Sequence, residues 1–404
     1  MNKLLQSKRK GSAIALVLLV IVILLATGVG LLSLGLRSRI FAIRNASDIT
    51  ARCAVDAGLT KALFEMNEKL QVKPWDGSTL PQTTNEVLPN CDAIFSYTVT
   101  GDIGSGYIIE SVGKSNQAER RVISSLKLQG PFEHTLFVQE SVILRAGTLV
   151  DGYNSLSPDD TDVEVRIGTN STLPNSIILN LGVTVNGDVL VGVGGDIESV
   201  IQNLGATADD RYAVNVETVF PDITVPALPD KDTEIDVHGT TFKMDPSFNG
   251  EYDGIELKRA ANPGVLEIDG GDVVLHVTGD IRLGQDCEIV VRQGASLTLY
   301  LDGDLDAGND AGINNENFPV NFKLYGTGEG AQEFDLKAKG DFFGAVYAPN
   351  ADITINAGGD IYGSFVSSGF EMKSGGNFYY DEALRDVSID DEAVRFVVKQ
   401  WQEE

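Results

Sequence analysis

Residues 12–36 read SAIALVLLVIVILLATGVGLLSLGL and hold no charged side chain. About 20 apolar residues in helical form cross the hydrocarbon core of a bilayer, so this run spans it with some tilt. Lys3, Lys8, Arg9 and Lys10 precede the run, and Arg37, Arg39 and Arg44 come after it. The denser N-terminal cluster favours a cytoplasmic N-terminus, although basic residues on both flanks divide that vote. Three readings compete. A cleaved secretory signal has an apolar core of roughly 7–15 residues closed by a small-residue site; this run is longer, and no A-x-A pattern closes it. A plain single-span anchor is the second. The third is a helix that spans the membrane and then packs among its own kind in a filament.

The stretch from Arg37 to Leu70 favours the third. No proline appears before Pro74, and residues 37–70 remain compatible with helix. Ala42, Ala46, Ile49 and Cys53 recur at helical spacing, as do Leu59, Leu63, Met66 and Leu70. The two stripes differ in phase near Gly58, which marks a kink or the point where the helix meets a globular domain. A helix from Ser12 to Leu70 is a rod on the order of 90 Å at about 1.5 Å per residue. A simple anchor has no need of that length.

The basic leader KRKG, the run beginning SAIALVLLV, and AVDAGLTKALFEM near the helix end carry a resemblance. Residues 8–70 resemble the N-terminal region of PilX-type minor pilins and, more loosely, the K-type minor pseudopilins of type II secretion. The resemblance implies a prepilin peptidase that cuts after Gly11 and leaves Ser12 as the first mature residue. It implies the bacterial inner membrane and other pilins as partners of the helix. Leu16 stands where the familiar pattern has Glu at mature position five; the K-type pseudopilins also lack that Glu.

The formal charge of the chain is −27. Residues 1–58 hold eight Lys/Arg against two Asp, so the acidic excess lies wholly beyond them. A domain this acidic does not bind nucleic-acid phosphates by charge. Glycine is 43 of 404 residues, well above the usual roughly 7%, and aromatics are 7%. With many Val, Ile, Thr and Asn-Gly or Asp-Gly turns, this is a turn-rich β composition. Cys53, Cys91 and Cys287 form no CxxC pair and no ligand spacing. Cys53 falls on the helix stripe and reads as an apolar packer; a Cys91–Cys287 bridge remains open outside the cytoplasm. His134, His238 and His276 are scattered. No cofactor is expected.

Residues 71–90 read as loop, with three prolines. AIFSYTVTG, GYIIESVG and ERRVISSLKL then read as three strands of a small antiparallel sheet. VGKSN in the second turn is no phosphate loop, because Ile108 stands where the first glycine belongs. Residues 133–216 are again strand-like. Gly192, Gly194 and Gly195 make no dinucleotide fingerprint, since Ile197 takes the third glycine position and no helix is expected after it. FPDITVPALPDKD, residues 220–232, is extended chain held by three prolines and reads as a strap. Residues 233–268 are the least legible.

From Gly271 onward Gly-Asp plus an apolar residue recurs at 271, 279, 303, 340 and 359, with earlier copies at 187 and 195 and the variant Gly376-Asn377-Phe378. Alternating apolar residues fill the intervals. Such repeats predict β-solenoid rungs, each burying its inner face on its neighbours. Glycine offers φ > 0 at the corner and the Asp carboxylate accepts backbone N–H bonds there. A β-sandwich is the alternative. The run GDFFGAVYAPNADITINAGGDIYGSFV with FYYDEAL, within residues 340–384, resembles a little-characterised β-helical domain that often follows PilX-like N-termini in bacterial envelope proteins.

Asp302, Asp304, Asp306 and Asp310 could serve acid–base chemistry on polysaccharide, as on some β-helices, but basic partners are sparse and turn residues are the simpler account. A weak calcium site at Asp302, Asp304 and Asp306 fails the EF-hand pattern, with Ala307 for Gly and Ile313 for the closing Glu. The tail, 385–404, reads as a last strand or a cap over the solenoid end.

The expected fold is mainly β with one long N-terminal α-helix: leader 1–11, membrane and pilin-like helix 12–70, loop and small sheet 71–130, right-handed β-solenoid 131–384, and tail. The expected function is a non-enzymatic pilin-like subunit of a type IV pilus-like or secretion filament. Its single-pass helix lies in the inner membrane and its acidic β domain outside the cytoplasm, serving assembly, adhesion or surface contact. The alternatives are an anchored β-helix that binds envelope polysaccharide and a β-helical polysaccharide-active enzyme.

Overall fold

The structure is a computed structural model that describes residues 12–159, 163–314, 318–336, 341–356, 359–373 and 375–403. The chain divides into two compact units, Met1–Lys127 with Phe396–Glu404, and Leu128–Arg395.

In the first unit one helix, α1, runs unbroken over Ser12–Leu70. Its last turn tightens as Gln71 and Val72 donate to the carbonyls of Glu68 and Lys69, and Pro74 lies just beyond. Four strands come next: β1 (Gln82–Val87), β2 (Ile94–Asp102), β3 (Gly106–Ser115) and β4 (Ala118–Gln129). They pair in that order, the first three pairings antiparallel. The residues read as a loop, 71–90, therefore contain a strand. The tail strand Arg395–Glu403 adds beside β4, so it extends the small sheet and is not a cap on the large one.

Helix and sheet meet through small side chains. Ala51, Ala54, Val55, Ala62, Met66 and Leu70 are buried against Phe95, Tyr97, Tyr107, Ile109 and Phe396. A Cβ on Gly113 would stand 2.3 Å from the Ala51 carbonyl oxygen, and one on Gly58 would stand 2.4 Å from Ser111 Oγ. Both glycines are needed for close approach. The stripe expected over Ala42, Ala46, Ile49 and Cys53 faces outward instead; Ile49 and Cys53 are exposed. Periodicity weighted the large Ile49, whereas a closely packed helix buries its alanines.

The second unit holds a 24-stranded sheet in which every described pairing is parallel. The sandwich alternative, whose sheets are antiparallel, is thereby corrected. From residue 235 to residue 313 each strand pairs with the one three places on. Ile235–His238 joins Ile255–Lys258, then Ile281–Leu283, Leu305–Ala307 and Gln332–Leu336. Thr241–Met244 joins Val265–Ile268, then Glu288–Val291 and Gly312–Ile313. Gly250–Tyr252 joins Gly271–Val277, then Ala295–Leu301 and Phe322–Gly326. The three columns converge on Phe342–Ile355. Their inward Leu, Ile, Val and Phe side chains form one continuous core. The poorly legible residues 233–268 start these columns.

Chain order and spatial order differ. Ile361–Met372 lies between Phe342–Ile355 and Leu136–Leu144, so a late strand stacks on the first strand of the unit. From there the columns continue through Arg166–Thr169 and Ile177–Leu179 to Asp188–Val191, Ile201–Asn203 and Arg211–Ala213. A helical turn, Ile197–Val200, interrupts this end, where no helix was expected. The proline strap then carries the chain back. Asn170 grips Thr218 through both its amide atoms, Tyr347 Oη donates to the Pro221 carbonyl at 2.7 Å, and Glu251 N donates to the Pro229 carbonyl at 2.9 Å. Seven strand spacings separate Arg166–Thr169 from Gly250–Tyr252, roughly 34 Å at about 4.8 Å each. Extended chain from 218 to 230 reaches about 40 Å; helix would fall short.

The Gly-Asp repeat has a physical account. Asp280 Oδ1 accepts from Asp304 N at 3.0 Å, and Asp304 Oδ1 from Glu333 N at 2.8 Å. Asp341 Oδ1 accepts from Asp360 N, and Asp360 Oδ1 from Asn377 N. Each carboxylate thus ties its corner to the next strand layer. The expectation of φ > 0 at these glycines holds for Gly271 but not for Gly187, Gly279 or Gly303. A Cβ at those three would meet the carbonyl oxygens of Val165, Asp253 and Gly279 at 2.1, 2.2 and 2.4 Å. Close stacking demands them. Gly340 lies outside the described residues.

Candidate functional site

The part of α1 from Ile14 to Leu36 buries nothing within the chain: its most apolar window has a mean hydropathy of 3.1 and is 0% buried. Ile14, Leu24, Leu31 and Leu34 are all more than 60% exposed. Each such side chain is worth about 1.5–3 kcal/mol when removed from water, so the run is suited to apolar surroundings. By length and composition it can cross a membrane. Its one threonine is suited to that setting, since Thr27 Oγ1 donates to the Ile23 carbonyl at 2.9 Å. Gly28, Gly30 and Gly35 have nothing within 4 Å of a built Cβ. Within the chain they serve no contact, yet each costs about 1 kcal/mol relative to alanine in a helix. Beyond Leu36 the helix still exposes Ile40, Phe41, Ile43, Ile49 and Phe64, on different sides of it. Of the expected processing pair, Gly11 lies outside the described residues and Ser12 begins the helix.

The carboxylates nominated from sequence part company. Asp302 Oδ2 lies 3.0 Å from His276 Nε2, and its Oδ1 accepts from Thr327 Oγ1 at 2.6 Å. His276 Nδ1 meets Glu251 Oε2 at 2.8 Å. A hydrogen-bonded chain Glu251–His276–Asp302–Thr327 therefore crosses four strand layers. Asp304 belongs to the corner ladder instead. Asp306 stands beside Arg282 in the register, and Asp310 occupies a turn at φ 61°. Among the described residues no group of three or more His, Cys, Asp or Glu is placed to hold a metal ion. His276 and Glu251 were missed from sequence. Their spacings, 25 and 26 residues along the chain, match one strand layer, and that was the available signal.

The other histidines stand apart. Burial, aided by Arg166, Arg385 and Arg395, pushes His134 down to about 3, so it is neutral. His238 sits at the surface 2.7 Å from Asp236. Arg292 and Lys243 hold Glu267 down at about 2, with Lys243 also bonded to Asp269 at 2.8 Å. Cys53, Cys91 and Cys287 are all free thiols, so the bridge left open between the latter two is not formed. A cleft of about 560 Å³ opens at the first strand layer, lined by Ile235, Val237, Phe242, Phe248, Tyr252 and Lys231 among others.

Residues 230–387, under half of the chain, match a family described as a domain of unknown function, DUF7305. No curated protein matches the sequence. Among solved structures, the chain is similar to the competence-associated pilin ComZ from Thermus thermophilus, at 14% identity over 89% of this chain and 97% of that one, with a TM-score of 0.32. It is also similar to an ice binding protein from an Antarctic bacterium, Flavobacteriaceae, at 12% identity over 61% and 96%, with a TM-score of 0.22. At those scores neither likeness bears on function.

Proposed function

We propose that the chain is a pilin-like subunit that passes from the inner membrane into a filament and displays an acidic β unit for assembly, adhesion or surface contact. The observation that carries this reading is α1 itself. One unbroken helix joins a fully exposed, charge-free apolar run to a stretch that packs onto an antiparallel sheet. Glycines without a role inside the chain, at 28, 30 and 35, let neighbouring helices approach closely. The leader would stay cytoplasmic and be removed by a prepilin peptidase between Gly11 and Ser12. The second unit, on this reading, is a right-handed β-solenoid. Its support is the three-column parallel ladder and the corner carboxylates. The role is structural, with no catalytic step assigned.

The test is the mature N-terminus of the native protein, read by mass spectrometry of membrane and sheared-surface fractions. A start at Ser12, N-methylated, is expected. An intact Met1 found only in membranes overturns the filament reading and leaves an anchored protein.

A further inference from the structure

The proline strap does more than return the chain, because it roofs a small cavity. The cavity holds about 60 Å³ beneath residues 218–221, with Gln129, His134, Phe137, Tyr347 and Arg395 among its walls. A water needs about 10–15 Å³ of such space, so there is room for one small ion or a few waters.

Two of the walls carry donors that the fold leaves unmatched. Arg395 is half-buried. It donates from Nε to Gln129 Oε1 at 3.2 Å and takes part in no ion pair among the described residues. The other two guanidiniums around His134 differ. Arg385 pairs with Glu382 at 3.0 Å and donates to the carbonyls of Glu133 and Glu164, and Arg166 pairs with Glu164. The Nδ1 of His134 is buried and has no hydrogen-bond partner among the described residues, while its ring packs 4.8 Å from that of Phe137. A buried cation without a counter-ion and a buried nitrogen without a partner are both costly.

The local charges favour a negative guest. Those that act on the His134 ring are the guanidiniums of Arg166, Arg385 and Arg395, all positive. Burial holds the Arg395 guanidinium below the ordinary arginine value, against the opposing pull of Tyr347 and of Glu133, a carboxylate that also lines the cavity. Gln129, whose Oε1 is taken by Arg395 Nε, has only its amide N–H groups left to offer.

We propose that the cavity is a site for one small monovalent anion, of chloride size, bound by the Arg395 guanidinium and His134 Nδ1 beneath the strap. The anion supplies the counter-charge that Arg395 lacks. His134 remains a neutral imidazole and donates to it from Nδ1–H. Because residues 218–221 form one wall, the bound anion ties the strap to the sheet it crosses. All the residues involved belong to the second unit, so the site stands whether or not the chain enters a filament.

The test uses full-length protein in detergent, exchanged into sodium isethionate, whose anion is too large for the cavity. Sodium chloride or bromide then replaces isethionate at constant ionic strength. Two quantities are followed: cleavage between residues 214 and 229 by a broad-specificity protease, and the width of the chlorine NMR line. An anion held only under the closed strap lowers the open population by a factor 1 + [L]/Kd, so cleavage of the unaltered chain falls about tenfold, saturably, when the halide nears ten times its Kd. The chlorine line broadens over the same range. Arg395→Gln removes the charge and loses both effects; in isethionate it is cleaved no faster than the parent, because no unpaired charge remains buried. His134→Phe keeps a ring beside Phe137 and weakens the halide dependence about tenfold, the worth of one hydrogen bond to a charged group. Cleavage and line width indifferent to halide in the unaltered chain overturn the proposal, the cavity then holding water only. A dependence undiminished in both variants also overturns it, since the anion then binds elsewhere.

Discussion

Ser111 Oγ donates to the main-chain carbonyl of Val55 at 2.8 Å, a bond from sheet to helix in the buried seam of the first unit. A helix carbonyl already accepts within its own ladder, so this second bond forms only where the backbone comes close. Gly113, two residues on, provides that closeness against Ala51. The glycine that resembled part of a phosphate loop is a packing glycine.

Gly113→Ala is therefore expected to destabilise the first unit by about 1–3 kcal/mol, the usual cost of overpacking. Lys114→Ala, its exposed neighbour, should change stability by less than about 0.5 kcal/mol. Trp75 packs on Tyr107 and Phe396 at 5.9 and 5.7 Å, so thermal melting followed by tryptophan fluorescence reads this unit. Equal melting temperatures for both variants would sink the packing account.

Asp304 offers a test of the corner ladder. Asp304→Ala removes the acceptor for Glu333 N, while Asp304→Asn keeps one. A hydrogen bond to a charged group contributes about 1.5–3 kcal/mol. The Glu333 amide should exchange with deuterium about tenfold faster or more in the alanine variant and closer to the parent rate in the asparagine variant. Equal exchange in all three would show that the bond holds nothing.

These positions also show what could be read from sequence. The helix from Ser12 to Leu70 and the three hairpin strands were legible because length, charge-free composition and turn residues act locally. The strap was legible because prolines 221, 226 and 229 exclude helix by themselves. The buried helix face was not, since Ala51 and Ala54 carry little hydrophobic signal and are chosen for size. Nor was the stacking of Phe365 on Leu136: alternation tells which face a side chain takes and says nothing of which strand lies beside it. The Glu251–His276–Asp302 chain was hidden for the same reason, being adjacent only through the layers.

Acid should weaken the second unit at Glu267. Its side chain is 9% exposed and bonded to Arg292 and Lys243, which depress it from 4.5 to about 2. A depressed folded value means stability present above pH 4.5 and lost as pH falls through about 2. Glu267→Gln should lose stability at neutral pH and show a flatter acid limb than the parent between those limits. Denaturant melts at pH 7, 4.5 and 2.5 check it, and parallel acid limbs would refute it.

The strap supplies the last expectation. Because late strands stack on early ones, the chain between 213 and 235 must stay extended along the column edge while its flanks belong to opposite ends. Phe220, Ile223 and Val225 pack over the buried Tyr300, Tyr325 and Tyr347, and the Tyr347 hydroxyl bonds to Pro221 O. Burial holds that hydroxyl protonated, so it donates at any ordinary pH. Tyr347→Phe removes one bond, about 0.5–1.5 kcal/mol, and leaves the ring in place. Opening of the strap over residues 215–228 needs no strand to unpair, so it should precede global unfolding. Cleavage between residues 214 and 229 by a broad-specificity protease under native conditions should then rise about two- to tenfold in Tyr347→Phe, with the global melting temperature nearly unchanged. Cleavage that rises only in step with global unfolding would mean the strap is no separate element and opens with the stack it crosses.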